Sequence, residues 1–109
     1  YLALAYDKGG EHGRAIASLQ ECIRLKPDFA EAHCNLGFTF RDMGEMENAV
    51  KAFSEAIRVR PDYAKAIANL GMLYVHLGDL DNAREQCAKL ETVDMAQARE
   101  LRAAITAAE

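Results

Sequence analysis

The sequence contains no tryptophan, and aromatic residues make up 7% of its 109 residues. Although half of the residues are apolar, no run approaches the roughly 18–20 consecutive apolar residues that a membrane-spanning helix needs. Acidic residues outnumber basic ones by 17 to 13, which gives a net charge of −4. That balance argues against nucleic acid as the main partner, because nucleic-acid binding depends on clustered positive charge. We therefore expect neither membrane insertion nor nucleic-acid binding.

Cysteine is also scarce and shows no pattern. The three cysteines, Cys22, Cys34 and Cys87, form no CxxC pair, and no histidine lies at a metal-ligand spacing from them. An odd number without a pattern is typical of reduced thiols that pack as small apolar side chains. We therefore expect no metal and no cofactor, and the reduced thiols favour a cytoplasmic location.

The two prolines, Pro27 and Pro61, lie 34 positions apart, and this spacing recurs along the whole chain. Such self-similarity at one fixed period indicates a stack of similar helical units. A chain of this length holds about three of them. The same shift aligns Leu36 with Leu70, Gly37 with Gly71, Gly44 with both Gly10 and Gly78, and Ala49 with Ala15.

Within each period, apolar residues recur at spacings of three and four, which predicts two amphipathic helices joined by a short turn. Glycine can take the left-handed conformation that ends a helix, so we expect breaks at Gly10, Gly44 and Gly78. Asp28 and Asp94 are each followed three residues later by Glu or Gln, the form of a capping box. The predicted helices include 11–25, 29–43, 45–59 and a last one over 95–107.

We divide the single predicted domain into a partial repeat (1–29), two full repeats (30–63 and 64–94) and a C-terminal capping helix (95–109). Because the chain begins partway through a repeat, we expect further repeats before it. Small residues at the helix crossings would let backbones approach, with Phe40 and Phe53 filling the remaining space. The predicted core comprises Ala15, Ile16, Leu19, Cys22, Ile23, Ala32, Leu36, Gly37, Phe40, Ala49, Val50, Phe53, Ala56, Ile57, Leu70, Gly71, Tyr74, Ala83, Cys87, Leu90, Met95, Ala98, Leu101 and Ile105.

This pattern of small, aromatic and proline positions resembles the tetratricopeptide repeat (TPR) family. The middle repeats resemble those of O-linked N-acetylglucosamine transferase, where asparagines form a ladder. The resemblance implies an all-α fold, a right-handed superhelical solenoid of antiparallel helix pairs. It also implies that the first helix of each repeat lines a concave groove. The corresponding candidate peptide-binding residues are Leu4, Cys34, Asn35, Phe38, Arg41, Lys65, Asn69, Met72 and His76.

Asn35 and Asn69 are the leading candidates, since each precedes a Leu-Gly pair and recurs in register. A carboxamide has both donors and an acceptor, so it can bond both groups of a peptide backbone. The alternative is that each asparagine bonds a neighbouring helix or water. Similarly, Phe38 and Met72 either form an exposed apolar strip with Leu4 and Cys34 or pack between helices.

A carboxylate clamp, as in co-chaperones that bind heat-shock proteins, fits less well. Asn35 and Lys65 match two of its positions, but Leu4 replaces an asparagine and Asn69 stands where a basic residue is expected. Binding a terminal carboxylate requires convergent positive charge. The clamp is therefore disfavoured.

Catalysis is not predicted, because the three histidines occupy unlike repeat positions and none accompanies a nucleophile in a known motif. We expect a protein-interaction scaffold that binds an extended peptide or a partner helix. Two alternatives stay open: self-association through the exposed ends of the solenoid, and a targeting arm of a larger enzyme.

Overall fold

The computed structural model describes the backbone of residues 2–109 and the side chains of residues 12–109. This part of the chain contains six α-helices and no strand, which confirms the predicted all-α class. It divides into two units, Tyr1–Val59 and Arg60–Glu109. The helices are α1 (Leu2–Leu25), α2 (Ala30–Asp42), α3 (Met46–Val59), α4 (Ala64–His76), α5 (Leu80–Glu91) and α6 (Met95–Ala108).

The break predicted at Gly10 is wrong, because α1 is one helix from Leu2 to Leu25. Of the described glycines, only Gly44 and Gly78 have the positive φ that ends a helix, at 82° and 79°. At Gly44 the turn is also fixed by a bond from the Glu45 N–H to the Phe40 carbonyl (2.8 Å). A glycine inside a helix costs about 1 kcal/mol, which lowers helix stability without forcing an end.

In the first unit, α2 packs against α3 through the predicted crossing of small residues and Phe53. Phe53, Ala49 and Ala56 have no exposed surface. A Cβ atom at Gly37 would lie 2.8 Å from the Phe53 ring, so the ring occupies the space that glycine leaves. Glycine at position 37 is therefore required by the close approach of the two helices.

In the second unit, α6 packs against both α4 and α5. Leu101 is 1% exposed, and its Cδ2 atom would lie 2.4 Å from a Cβ atom at Gly71. Ala98 and Ile105 are buried as predicted, but Met95 is 48% exposed and does not belong to the apolar stripe. Met95 is the first residue of α6, and the helical turn of about 100° per residue places it about a quarter turn away from the buried stripe.

The helix starts follow two different patterns. Asp94 caps α6 as predicted: its carboxylate accepts from the Gln97 backbone N–H (3.2 Å) and from the Gln97 side-chain Nε2 (2.8 Å). The cap predicted at Asp28 is wrong, because Phe29 is the N-cap residue of α2 and makes no side-chain cap bond. The Phe29 N–H donates to the Lys26 carbonyl oxygen (3.1 Å) and closes a turn. Because of this turn, Asp28 lies one residue before the N-cap position.

The Asp94 cap predicts a pH-dependent contribution to stability. Its bonds from Gln97 lower the pKa of Asp94, so the stabilisation is present at neutral pH and is lost as the pH falls through the folded-state pKa, below about pH 4. Asp94→Asn keeps an acceptor oxygen but does not titrate. We expect the difference in melting temperature between the wild type and Asp94→Asn to shrink from pH 7 to pH 3. A difference that stays constant would show that the ionised cap contributes nothing.

Candidate functional site

In the first unit, α2 presents a mixed polar and aromatic face. Asn35 is exposed, and Phe38, one turn further along, is half-buried with its ring edge-on to Phe53 (5.2 Å between centroids, 84° between planes). The Arg41 guanidinium lies 5.0 Å from the centre of the Phe38 ring and 3.8 Å from the Asp42 carboxylate. The Phe38 ring therefore packs against Phe53 on its buried side and makes a cation–π contact with Arg41. Asn35 lies one turn before this partly exposed aromatic ring.

Cys34 does not share this exposure. It has no exposed surface, which contradicts its predicted place on an exposed apolar strip. The physical reason is the helical turn of about 100° per residue, which rotates Cys34 inward when Asn35 points out. Leu4, another member of the predicted strip, lies outside the described side chains.

In the second unit, α4 presents the corresponding face. Lys65 and His76 are exposed, Met72 is 46% exposed and Asn69 is half-buried. The Asn69 Nδ2 donates to the Lys65 carbonyl oxygen one turn earlier (2.7 Å).

The described side chains include one tyrosine whose pKa departs from its usual value. Burial raises the pKa of Tyr74, and the charges of Asp79 and Glu85 raise it further. Among residues 12–109, no three His, Cys, Asp or Glu side chains are placed to hold a metal ion. None of the described helices combines the length and the apolar character needed to cross a bilayer.

Sequence reasoning missed a cavity in the first unit. It measures about 340 Å³ and lies between α1, α2 and α3, with Ile23, Leu36, Phe40 and Ala52 among its lining residues. His33 also borders it and is buried, with its Nε2 atom 3.0 Å from the Pro27 carbonyl oxygen. The available signal was a difference between repeats, since Gln86 stands 34 positions after the small Ala52.

Comparison with known families places these two helical units in a class of helical-repeat proteins. Three family models match, described as tetratricopeptide repeat (residues 30–63), TPR repeat (residues 3–44) and tetratricopeptide repeat (residues 64–94). Together they cover most of the chain. The chain belongs to the tetratricopeptide repeat family.

Solved structures give the same fold. MamA is 29% identical over 82% of this chain, with a TM-score of 0.75, and this chain spans 52% of its length. The second TPR domain of human RPAP3, in complex with the HSP70 peptide SGPTIEEVD, is 24% identical, with a TM-score of 0.80. The match covers 94% of this chain and 87% of the RPAP3 chain. The TPR2B domain of yeast Sti1, in complex with pHsp70, is 18% identical, with a TM-score of 0.79. The match covers 95% of this chain and 87% of the Sti1 chain. A search of curated protein sequences gave no match.

Proposed function

We propose that this chain is a protein-interaction scaffold that binds an extended peptide or a partner helix along the first helices of its repeats. The observation that carries the proposal is a shared arrangement in the two units. Each exposes a face on which an asparagine stands one turn before a partly exposed apolar side chain: Asn35 before Phe38, and Asn69 before Met72. The amide would bond the peptide backbone and the apolar side chain would bury peptide side chains.

The energetics assign different roles to the apolar side chains and to the asparagines. Burying a Met or Phe side chain fully contributes about 1.5–3 kcal/mol, and Met72 and Phe38 can supply part of this. Each amide bond to a peptide replaces a bond to water or, for Asn69, competes with the bond to Lys65, and so contributes about 0.5–1.5 kcal/mol. The asparagines would therefore set the orientation of the backbone more than the affinity, as in the asparagine ladder proposed from the sequence.

The structural relatives support peptide binding in this fold, since the RPAP3 and Sti1 domains were solved with heat-shock protein ligands. For this chain we propose recognition along the peptide backbone instead of at a terminal carboxylate. Asn69 stands where the clamp would need a basic residue, which leaves Lys65 as its one matching cation. One cation gives little of the convergent positive charge that a carboxylate needs.

The double variant Asn35→Ala, Asn69→Ala tests the proposal. A peptide selected from a random library on the immobilised chain should bind it about fivefold or more weakly, because two backbone contacts of about 0.5–1.5 kcal/mol each are lost. Isothermal titration calorimetry gives the affinity.

The matched control is Asn48→Ala, Asn82→Ala, which removes two asparagines at the same spacing from α3 and α5. It should bind the peptide as the wild type does. Equal affinity for all three proteins would remove the asparagines from the binding account, and equal losses in both variants would mean that the effect comes from stability.

A further inference from the structure

The cavity in the first unit lies on the opposite side of α2 from Asn35 and Phe38. Leu36 and Phe40 line it, and the helical repeat of 3.6 residues puts them about half a turn around the helix from that face. Ile23 of α1 and Ala52 of α3 complete its apolar walls. Any ligand in this cavity would therefore leave the proposed peptide-binding face of α2 accessible.

The next repeat lacks the small residue that borders this cavity. The position equivalent to Ala52 in the next repeat is Gln86, a long side chain that is only 5% exposed. The neighbouring charges are also exchanged, because Lys51 and Glu55 correspond to Glu85 and Lys89. A small residue at position 52 thus leaves open a space that a long one would fill.

The charge at the rim of the cavity selects for an acidic partner. Of the two charged residues that line it, Glu55 is paired with Arg58 (2.6 Å). Lys51 is exposed and forms no ion pair with any side chain among residues 12–109. The uncompensated charge beside the apolar walls is therefore positive, even though the chain as a whole carries −4. Complementary charge at a rim steers the encounter and fixes register.

The size and openness of the cavity favour a side chain over a free small molecule. Its volume of about 340 Å³ is at the low end for ligand sites, which hold about 300–1,000 Å³, and it opens broadly to solvent. Small molecules are usually enclosed on most of their surface. An open apolar cavity of this size suits one or two apolar side chains projecting from a larger partner.

We propose that this cavity is a second docking site, which takes a large apolar side chain from a partner segment with carboxylates beside it. Ile23, Leu36, Phe40 and Ala52 receive the apolar side chain, and Lys51 pairs with a carboxylate. The site is independent of the proposed peptide-binding face, so the scaffold can hold two partner segments at once.

The probe is the acetylated and amidated peptide EELLEE, titrated into the ¹⁵N-labelled chain with backbone amide shifts as the readout. We expect shifts at Ile23, Lys51 and Ala52, with none at Asn35. The peptides EESSEE and KKLLKK should bind much more weakly, because the first lacks the apolar side chains and the second reverses the charge.

Ala52→Gln fills the cavity with the residue that the next repeat uses, and should weaken EELLEE binding about tenfold or more. The matched control is Ala88→Gln, the same change at an exposed position of α5, which should bind as the wild type does. Lys51→Glu, at an exposed position, should weaken binding by roughly two- to fivefold and keeps the test valid if Ala52→Gln fails to fold.

Three results would overturn the proposal. The first is no shift at millimolar peptide, and the second is equal binding of EELLEE and KKLLKK. The third is concentration-dependent shifts at Lys51 and Ala52 without peptide, which would make a second copy of the chain the occupant. Exposed Met95, next to Asp94, is the segment of a second copy that matches the chemistry, and Met95→Ser would abolish those shifts.

Discussion

Replacing Phe53 by Ala is expected to destabilise the first unit by about 3–5 kcal/mol. Phe53 has no exposed surface, its ring fills the space above Gly37, and Phe38 packs edge-on against it. Truncation removes these contacts together and leaves a cavity that the neighbouring backbone of α2 cannot close without moving. For a domain of this size each 1 kcal/mol lowers the melting temperature by roughly 4–8 °C, so the melting temperature should fall by roughly 12–40 °C.

Urea unfolding followed by circular dichroism measures the loss. The matched control is Ser54→Ala, which changes the next residue of α3 at an exposed position and should shift the midpoint little. If Phe53→Ala lost less than about 1 kcal/mol, the close crossing of α2 and α3 would not be the main support of this unit.

The second large effect concerns the contact between Gly71 and Leu101 in the second unit. Gly71→Ala would place a methyl group 2.4 Å from the Leu101 Cδ2 atom, and Leu101 is too deeply buried to turn aside into solvent. We expect a cost of about 1–3 kcal/mol from overpacking. Leu101→Ala alone should cost about 2–5 kcal/mol, because it opens a cavity between α4 and α6.

The double variant Gly71→Ala, Leu101→Ala should be more stable than the sum of the two losses implies, by about 1 kcal/mol or more, because the added methyl group enters the vacated space. Gly13→Ala is the matched control: it makes the same change inside α1, where no atom lies within 4 Å of the new Cβ. It should be neutral or stabilising. Strictly additive losses at positions 71 and 101 would show that α6 does not pack on α4 as described.

Periodicity predicted the parts of the fold that depend on helix-to-helix packing. Gly37 and Gly71 recur at the fixed spacing, because close crossings need small residues at the same place in each repeat, and Gly37 was expected at the crossing that Phe53 fills. The contact of Gly71 with Leu101 was not predicted. The Asp94 cap was also predicted, because its acceptor and the Gln97 donor are neighbours in sequence and need no tertiary context.

The errors arose where a local signal competes with its surroundings. Gly10 was expected to end a helix, but α1 continues through it, because glycine permits a break without requiring one. Asp28 has the form of a cap, yet Phe29 is the N-cap residue and the helix begins at Ala30. In both cases the error concerns where a helix begins or ends, which the hydrophobic pattern does not fix to within one or two residues.

The candidate site was only partly readable from the sequence. The family resemblance implied exposed positions for Asn35, Met72 and Cys34; the first two are exposed, whereas Cys34 is fully buried. The bond from Asn69 to the Lys65 carbonyl and the cation–π contact of Arg41 with Phe38 depend on side-chain rotamers, which periodicity does not specify. The cavity beside Ala52 required the positions of three helices.

The most direct test of the central claim is an amide chemical-shift map of the ¹⁵N-labelled chain, titrated with the peptide selected from a random library. Peptide binding by the first helices of the repeats predicts shifts centred on Asn35 and Phe38 in α2 and on Asn69 and Met72 in α4, with α5 and α6 unaffected. Shifts confined to α3, α5 or α6, with those four residues unchanged, would contradict it.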